Sequence, residues 1–143
     1  METFYLTENG VKYWRPDLSN ISLKAEIGAD SIIHSHVWIG DGVIIGQRCR
    51  IQAFSFLPTG VILGDDVFIG PRVTFTNEKY PPLGGWSNTI VESGAVIGAG
   101  AIILPGLVIG KGALIGAGAV VTRDIPAGET WIGNPAKLAE RRQ

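Results

Sequence analysis

The sequence has little that would link the chain covalently or attract it to a charged polymer. Cys49 is the single cysteine among 143 residues, so no intrachain disulfide can form, and we expect a reducing compartment, the cytoplasm. Twelve lysines and arginines face 13 aspartates and glutamates. This balance argues against a nucleic-acid partner, which usually requires a basic surface.

Long apolar runs are also missing. No stretch approaches the roughly 18 residues of a membrane-spanning helix, and the opening METFYLTENG has no basic stretch followed by an apolar run. We therefore expect neither a signal peptide nor a membrane association. Apolar residues still make up 45% of the chain, which favours a large interior or an assembly of several copies.

Glycine is abundant, with 20 residues, and its spacing belongs to a six-residue repeat. A large apolar residue recurs every six positions, at Ile21, Ile27, Ile33, Ile39, Ile45, Ile51, Leu57, Leu63, Ile69 and Phe75. Smaller residues, among them Cys49, follow four places later, and we predict that both series point inward. A period of six fits neither a helix nor a simple strand, whereas hexapeptide repeats are typical of a parallel β-helix.

The repeat is interrupted once. It stops at Asn77, a loop rich in proline and glycine follows at 78–90, and the pattern resumes from Val91 to Val121. Phe75 and Val91 are sixteen residues apart, one hexapeptide plus ten, so the loop should insert about ten residues at one corner. A single break in a regular scaffold is where we expect the chemistry.

The termini lie outside the repeat. Asn9-Gly10 between apolar, β-prone segments predicts a hairpin within residues 1–20, placed to cap the open end of a solenoid. We assign 21–137 to the repeat domain and 138–143 to a short tail.

Three stretches resemble one known family. They are Arg50-Ile51-Gln52; the segment from Asp65 through Phe75-Thr76-Asn77 to Tyr80-Pro81-Pro82; and the segment from Ile115 to Pro126 followed by Gly133-Asn134-Pro135-Ala136-Lys137. Together they resemble the hexapeptide-repeat acyltransferases, closest to the branch that acetylates nucleotide-linked 3-amino sugars. The resemblance implies an all-β, left-handed parallel β-helix of about five triangular coils, an acetyl-CoA co-substrate and a homotrimer.

The same resemblance suggests catalytic residues. Relatives that acetylate hydroxyls usually have a histidine in this loop, whereas this chain has Asn77. A sugar amine needs no strong base, so the resemblance places Asn77 as the residue that orients the amine. Glu78 is a second candidate, as acid or base. His36 would be the base if the acceptor were instead a hydroxyl.

An eighteen-residue coil would stack His36 under Phe54 and Arg72 at one corner and Asn77 over Thr59 and Asp41 at another. His36 could then reach Asn77 only across a subunit interface. We assign Phe54 and Arg72 to substrate binding.

Trp86 is also assigned to the substrate, because Gly84-Gly85 could act as a hinge that closes it over the ligand. Trp38 and Phe56 point outward from one face, as intersubunit packing or as a platform for a nucleotide base.

The resemblance also places coenzyme A. Its pantetheine arm would run past Ala99, Gly116 and Ala117, and its phosphates would meet Arg123, Lys137 and Arg141. We expect no metal, because the carbonic-anhydrase branch of this fold uses three histidines and this chain has two.

Two other functions remain open on sequence alone, an O-acetyltransferase with a histidine base and a non-catalytic trimeric scaffold. The segment 53–59 lacks the polar residues of many 3-amino-sugar enzymes, so the sugar is not identified.

Overall fold

The computed structural model describes residues 3–141 of the chain, with backbone only for residues 140 and 141. Most strands are two residues long and stack, coil on coil, into three sheets, which we call A, B and C. Among the residues described, the single helical element is a 3₁₀ turn at Pro16–Leu18. In the part of the chain described, no helix is long and apolar enough to cross a membrane.

Within the described residues, the A sheet has nine strands, the B sheet six and the C sheet five. In spatial order, the A sheet contains β1 (Phe4–Leu6), β2 (Lys12–Trp14), β5 (Ile32–Ile33), β8 (Arg50–Ile51), β11 (Phe68–Ile69), β14 (Val96–Ile97), β17 (Leu114–Ile115), β19 (Glu129–Ile132) and β20 (Lys137–Arg141). The B sheet contains β18 (Val120–Val121), β15 (Ile102–Ile103), β12 (Thr74–Phe75), β9 (Phe56–Leu57), β6 (Trp38–Ile39) and β3 (Asn20–Ile21). The C sheet contains β16 (Val108–Ile109), β13 (Thr89–Val91), β10 (Val61–Leu63), β7 (Ile44–Ile45) and β4 (Glu26–Ile27).

Successive coils pair in parallel and in register, as in Ile32↔Arg50 and Trp38↔Phe56. The predicted all-β, left-handed parallel β-helix is therefore confirmed. The chain turns from the A to the B sheet at the AB corner (34–37, 52–55, 70–73, 98–101 and 116–119). It turns from B to C at the BC corner (40–43, 58–60, 76–88, 104–107 and 122–124) and from C back to A at the CA corner.

The solenoid has about seven turns rather than the five expected. The extra turns come from the two ends, which do not follow the hexapeptide pattern. The predicted hairpin is present, as β1 antiparallel to β2, but β2 also adds in parallel to β5 and forms the first layer of the A sheet. At the other end β19 pairs in parallel with β17. Residues 138–141, which were predicted to form a tail, belong to β20 and pair antiparallel to β19.

The six-residue series forms the core, as predicted. Its members from Ile33 to Phe75 and from Val91 to Val121 are at most 2% exposed. The reason is that a step of six residues always returns the chain to the inner face of a strand. Cys49 is buried in the smaller series, with its Sγ 3.1 Å from the carbonyl of Gly64. Burial raises the pKa of this thiol, which fits a structural rather than a reactive cysteine.

The loop inserts ten residues and then returns to the coil. Ile44 pairs with Ile62, eighteen residues later, whereas Val61 pairs with Thr89, twenty-eight residues later. The loop runs from 76 to 88, two residues earlier than expected at both ends, because Thr89 already lies in β13 and is buried.

Candidate active site

A cavity of about 430 Å³ lies against the B sheet at the BC corner, beneath the loop. Its lining includes three polar side chains that can do chemistry and three aromatic ones, Asp41, Asn77, Glu78, Trp38, Phe56 and Trp86. Asp41, Trp38 and Phe56 come from the regular coils, whereas Asn77, Glu78 and Trp86 come from the loop. This cavity therefore brings together five of the residues singled out in the sequence: Trp38, Phe56, Asn77, Glu78 and Trp86.

A larger cavity, about 570 Å³, lies at the N-terminal end of the prism. It is lined by residues such as Tyr13, Ile21 and Ile27, and none of the described residues that line it has a charged side chain. The hairpin pairs only with the A sheet, so within residues 3–141 no coil lies beneath the first strands of the other two sheets. We attribute this cavity to the half-capped end and take the smaller, polar one as the candidate site.

Asn77 has a defined orientation in the site. Its side-chain Nδ2 donates a hydrogen bond to the backbone carbonyl of Thr59 at 3.0 Å. A carbonyl oxygen can only accept, so the amide group facing it must be the NH₂. The Oδ1 atom is then left as an acceptor, and within residues 3–141 no donor is bonded to it. The predicted stacking of Asn77 over Thr59 is confirmed.

The site also contains two carboxylates. Ser22 donates its hydroxyl to Asp41 from the coil below, and Glu78 is fixed by a backbone bridge to Trp86 at the base of the loop. The ion pairs found in the described part of the chain involve other residues, so neither carboxylate is neutralised by an ion pair within that part. Two carboxylates in one pocket disfavour an anionic ligand group there.

Aromatic rings form the apolar part of the site. Trp38 and Phe56 lie one above the other on the B sheet, with ring centroids 6.1 Å apart and both rings partly exposed. Trp86 reaches the cavity from the loop and is 62% exposed. It follows Gly84 and Gly85, both in left-handed backbone conformations that glycine adopts at little cost.

The other predicted substrate residues lie at the AB corner. The ring of His36 stacks on Phe54, with centroids 4.7 Å apart and planes 15° apart. The guanidinium carbon of Arg72 lies 5.1 Å from the centre of the Phe54 ring. The predicted column is therefore confirmed. It does not line the cavity, and within one chain His36 is not brought to Asn77.

All three residues of this column have positive φ angles, 61°, 65° and 61°. The left-handed region costs about 1–2 kcal/mol for a residue with a side chain, and the equivalent positions in later coils are Gly100 and Gly118. Mutual stacking of the rings and the guanidinium offsets part of that cost.

The predicted coenzyme A residues lie at several places. Ala99 and Ala117 are exposed at the AB corner, above the column. Gly116 has a structural reason to be glycine, because a Cβ there would lie 2.6 Å from Cγ2 of Ile132. Arg123 is exposed at the BC corner and Lys137 is exposed at the start of β20. The side chain of Arg141 lies outside the described residues.

Asp41 had no predicted role, although the eighteen-residue spacing already placed it two coils below Asn77. His34 was not assigned either. It is half-buried, and burial, helped by the charges of Arg50 and Lys12, lowers its pKa below the usual value. Across the described residues, no group of three or more histidine, cysteine, aspartate or glutamate side chains is placed to hold a metal ion.

Several solved structures resemble this chain. PerB of Caulobacter crescentus, solved with CoA and GDP-perosamine, is 27% identical, has a TM-score of 0.77 and matches over 86% of this chain and 55% of that one. The acetyltransferase domain of PglB from Neisseria gonorrhoeae, solved with acetyl coenzyme A, is 26% identical, with a TM-score of 0.79 and coverages of 90% and 57%. The chain therefore spans little more than half the length of these two structures.

AntD of Bacillus cereus, an N-acyltransferase solved with dTDP and 3-hydroxybutyryl-CoA, matches over 100% of this chain and 92% of that one, with a TM-score of 0.86. At 20% identity it is similar in fold alone. A comparison with curated protein sequences finds no match.

Two protein-family models also match. The hexapeptide repeat of succinyl-transferase matches residues 25–57. The bacterial transferase hexapeptide model, of six repeats, matches residues 42–77 and 88–123, half of the chain. The gap in this second match falls on the loop that carries Glu78 and Trp86, so the repeat and its interruption agree between sequence and structure. The chain belongs to the bacterial transferase hexapeptide family.

Proposed function

We propose that the protein transfers an acetyl group from acetyl-CoA to the amine of a nucleotide-linked amino sugar. One observation carries the proposal, the free Oδ1 acceptor of Asn77 in a cavity that also offers carboxylates and aromatic rings. The ligands solved with PerB and PglB support it, because both structures hold CoA or acetyl coenzyme A and PerB also holds GDP-perosamine.

In this proposal Asn77 orients the acceptor. Its Oδ1 accepts an N–H of the neutral amine, which directs the nitrogen lone pair at the thioester carbonyl. The new C–N bond forms, the C–S bond breaks and the thiolate of CoA leaves. The amine proton passes to the thiolate directly or through the carboxylate of Glu78, so the step needs no histidine base.

The ligands also need contacts outside the cavity. For the donor we propose Ala99, Gly116 and Ala117 along the pantetheine arm, and Arg123 and Lys137 for its phosphates. For the acceptor we propose Trp86, Phe54 and Arg72. Residues on two corners of one prism can share a ligand when a second subunit packs against the first, so we propose a homotrimer with sites between its subunits.

The test is a thiol-release assay with acetyl-CoA and a panel of dTDP-, UDP- and GDP-linked amino sugars, each paired with the sugar that has a hydroxyl in place of the amine. We expect turnover with an amino sugar and none with its hydroxyl counterpart. Turnover of the hydroxyl sugar would instead support a histidine base. A purely structural scaffold would show no thermal shift with acetyl-CoA.

A further inference from the structure

The column at the AB corner ends beside an open layer. His36, Phe54 and Arg72 occupy equivalent positions in three successive coils, with the ring of Phe54 between the other two groups. The pairing Thr74↔Ile102 places Gly100 at the same position in the next coil. A Cβ on Gly100 would meet no atom within 4 Å. The stack of planar groups therefore stops at the guanidinium of Arg72, and the space for one more planar group lies open.

Arg72 differs from a second arginine in the same kind of position. Arg48 also has a positive φ, at the CA corner, but its Nε lies 2.8 Å from Oδ1 of Asp66. Arg72 is exposed, and within residues 3–141 no carboxylate forms an ion pair with it. A guanidinium that lies over a ring and has no ion-pair partner among the described residues can stack on a base and bind phosphate oxygens together.

The column also faces the candidate active site across the B sheet. Arg72 and Asn77 belong to the same coil and are five residues apart, a span of roughly 16 Å at most for an extended chain. Thr74 lies between them on the B sheet and pairs with Phe56 in the coil below. A ligand held at Arg72 could therefore run along this coil, past Thr74, and place its far end beside Asn77. An extended nucleotide sugar has that shape, with the base and diphosphate at one end and the sugar at the other.

We propose that the layer of Gly100 above Arg72 is a nucleoside diphosphate subsite, in which the base stacks on the guanidinium face and the diphosphate binds its edge. The proposal rests on the proposed function and names the part of the acceptor that the AB corner recognises. CoA also carries a nucleoside diphosphate, and its expected path past Ala99 starts in the same layer. The line from Arg72 across the B sheet to Asn77 favours the acceptor.

The arrangement gives His36 a different role from that of a base. Its ring is the bottom of the stack, and its Nδ1 lies 3.0 Å from Oγ of Ser35. A ring that supports the stack can be replaced by another ring. We therefore expect His36→Ala to weaken nucleotide binding and His36→Phe, which restores a ring at this position, to recover it.

The test is calorimetric titration of the whole protein with dTDP, UDP, GDP and ADP, and separately with CoA. Arg72→Gln removes the charge. Gly100→Asn fills the open layer with a residue that tolerates a left-handed backbone. Gly112→Asn is the matched control, because Gly112, at the CA corner, also has a positive φ and a Cβ there would likewise meet no atom within 4 Å.

We expect at least one nucleoside diphosphate to bind, and both Arg72→Gln and Gly100→Asn to weaken it about tenfold or more, with Gly112→Asn unchanged and CoA affinity intact in all three. A loss confined to CoA would assign the layer to the donor and overturn the proposal. Unchanged affinities, or a change in oligomeric state on size-exclusion chromatography with Arg72→Gln, would overturn it too. The titration measures binding and needs no turnover, so its result can be interpreted even if the proposed reaction does not occur.

Discussion

The side-chain amide of Asn77 donates to the backbone carbonyl of Thr59 in the coil below, at 3.0 Å. This one bond decides which end of the amide faces the cavity. A backbone carbonyl cannot move to suit a ligand, so the Oδ1 atom is held ready before the acceptor binds. Such prior orientation is how a group that transfers no proton can still contribute to the rate.

The first prediction concerns this residue. Asn77→Ala removes the acceptor, and Asn77→Asp replaces the donor with an oxygen that the Thr59 carbonyl repels. We expect both to lower kcat/KM for the amino sugar about 10²-fold, measured by thiol release. Asn88→Ala, at the exposed far end of the same loop, is the control and should keep wild-type activity. Full activity in Asn77→Ala would remove Asn77 from the mechanism.

The core and the corner stacks could be predicted from sequence because both depend on a fixed count. Six residues return the chain to the inner face and eighteen return it to the same corner, so Ile51 follows Ile33 inward and Phe54 follows His36 outward. The ends could not be predicted in this way. Tyr13 pairs with Ile33, twenty residues later, because the 3₁₀ turn at Pro16–Leu18 puts the first layer out of phase.

The position of Trp86 could not be predicted from the repeat spacing either. The loop has no period, and the tryptophan reaches the cavity because Glu78 and Trp86 pair at the loop base, a contact set by ten residues without repeats. Asp41 could have been found from the spacing alone, but an aspartate at a turn is too common to single out.

A second prediction concerns Trp86. Its ring is mostly exposed and lines the cavity from the loop side, so a bound acceptor would cover it. We expect Trp86→Ala to raise KM for the acceptor about 3- to 10-fold, the range for one aromatic contact, with KM for acetyl-CoA unchanged and Trp86→Phe close to wild type. Tyr80→Ala is the matched control, because Tyr80 lies exposed on the same loop and does not line the cavity. Equal effects at both positions would mean that the loop acts through its shape rather than through Trp86.

A third prediction compares the effect of the same change, leucine to alanine, in the core and on the surface. Leu63 is 2% exposed in the middle of the prism, and Leu23 is 102% exposed at its open end. Leu63→Ala leaves a cavity between rigid coils that cannot collapse, and we expect a loss of 2–5 kcal/mol in the free energy of unfolding. Leu23→Ala should change it by less than about 0.5 kcal/mol. Urea denaturation at one fixed protein concentration measures both, and a large loss at Leu23 would show that the open end is packed against something in solution.

The last prediction is a pH dependence from His34. Burial is the main cause of its lowered pKa, followed by the positive charges of Arg50 and Lys12. The folded state therefore resists the proton that the unfolded chain accepts near pH 6.5. Stability from this group is complete above that pH and is lost as the pH falls through the lower, folded-state value.

We thus expect the Tm to be level from pH 8 to 7 and to fall between pH 6.5 and 5, before most carboxylates titrate. His34→Gln has no proton to gain and should flatten the curve in this window. Arg50→Gln removes one repelling charge, so its decline should be shallower than that of the wild type but still present. A Tm that rises as the pH drops through this window would mean that a partner outside the described contacts stabilises the charged ring, because burial beside two cations cannot give that sign.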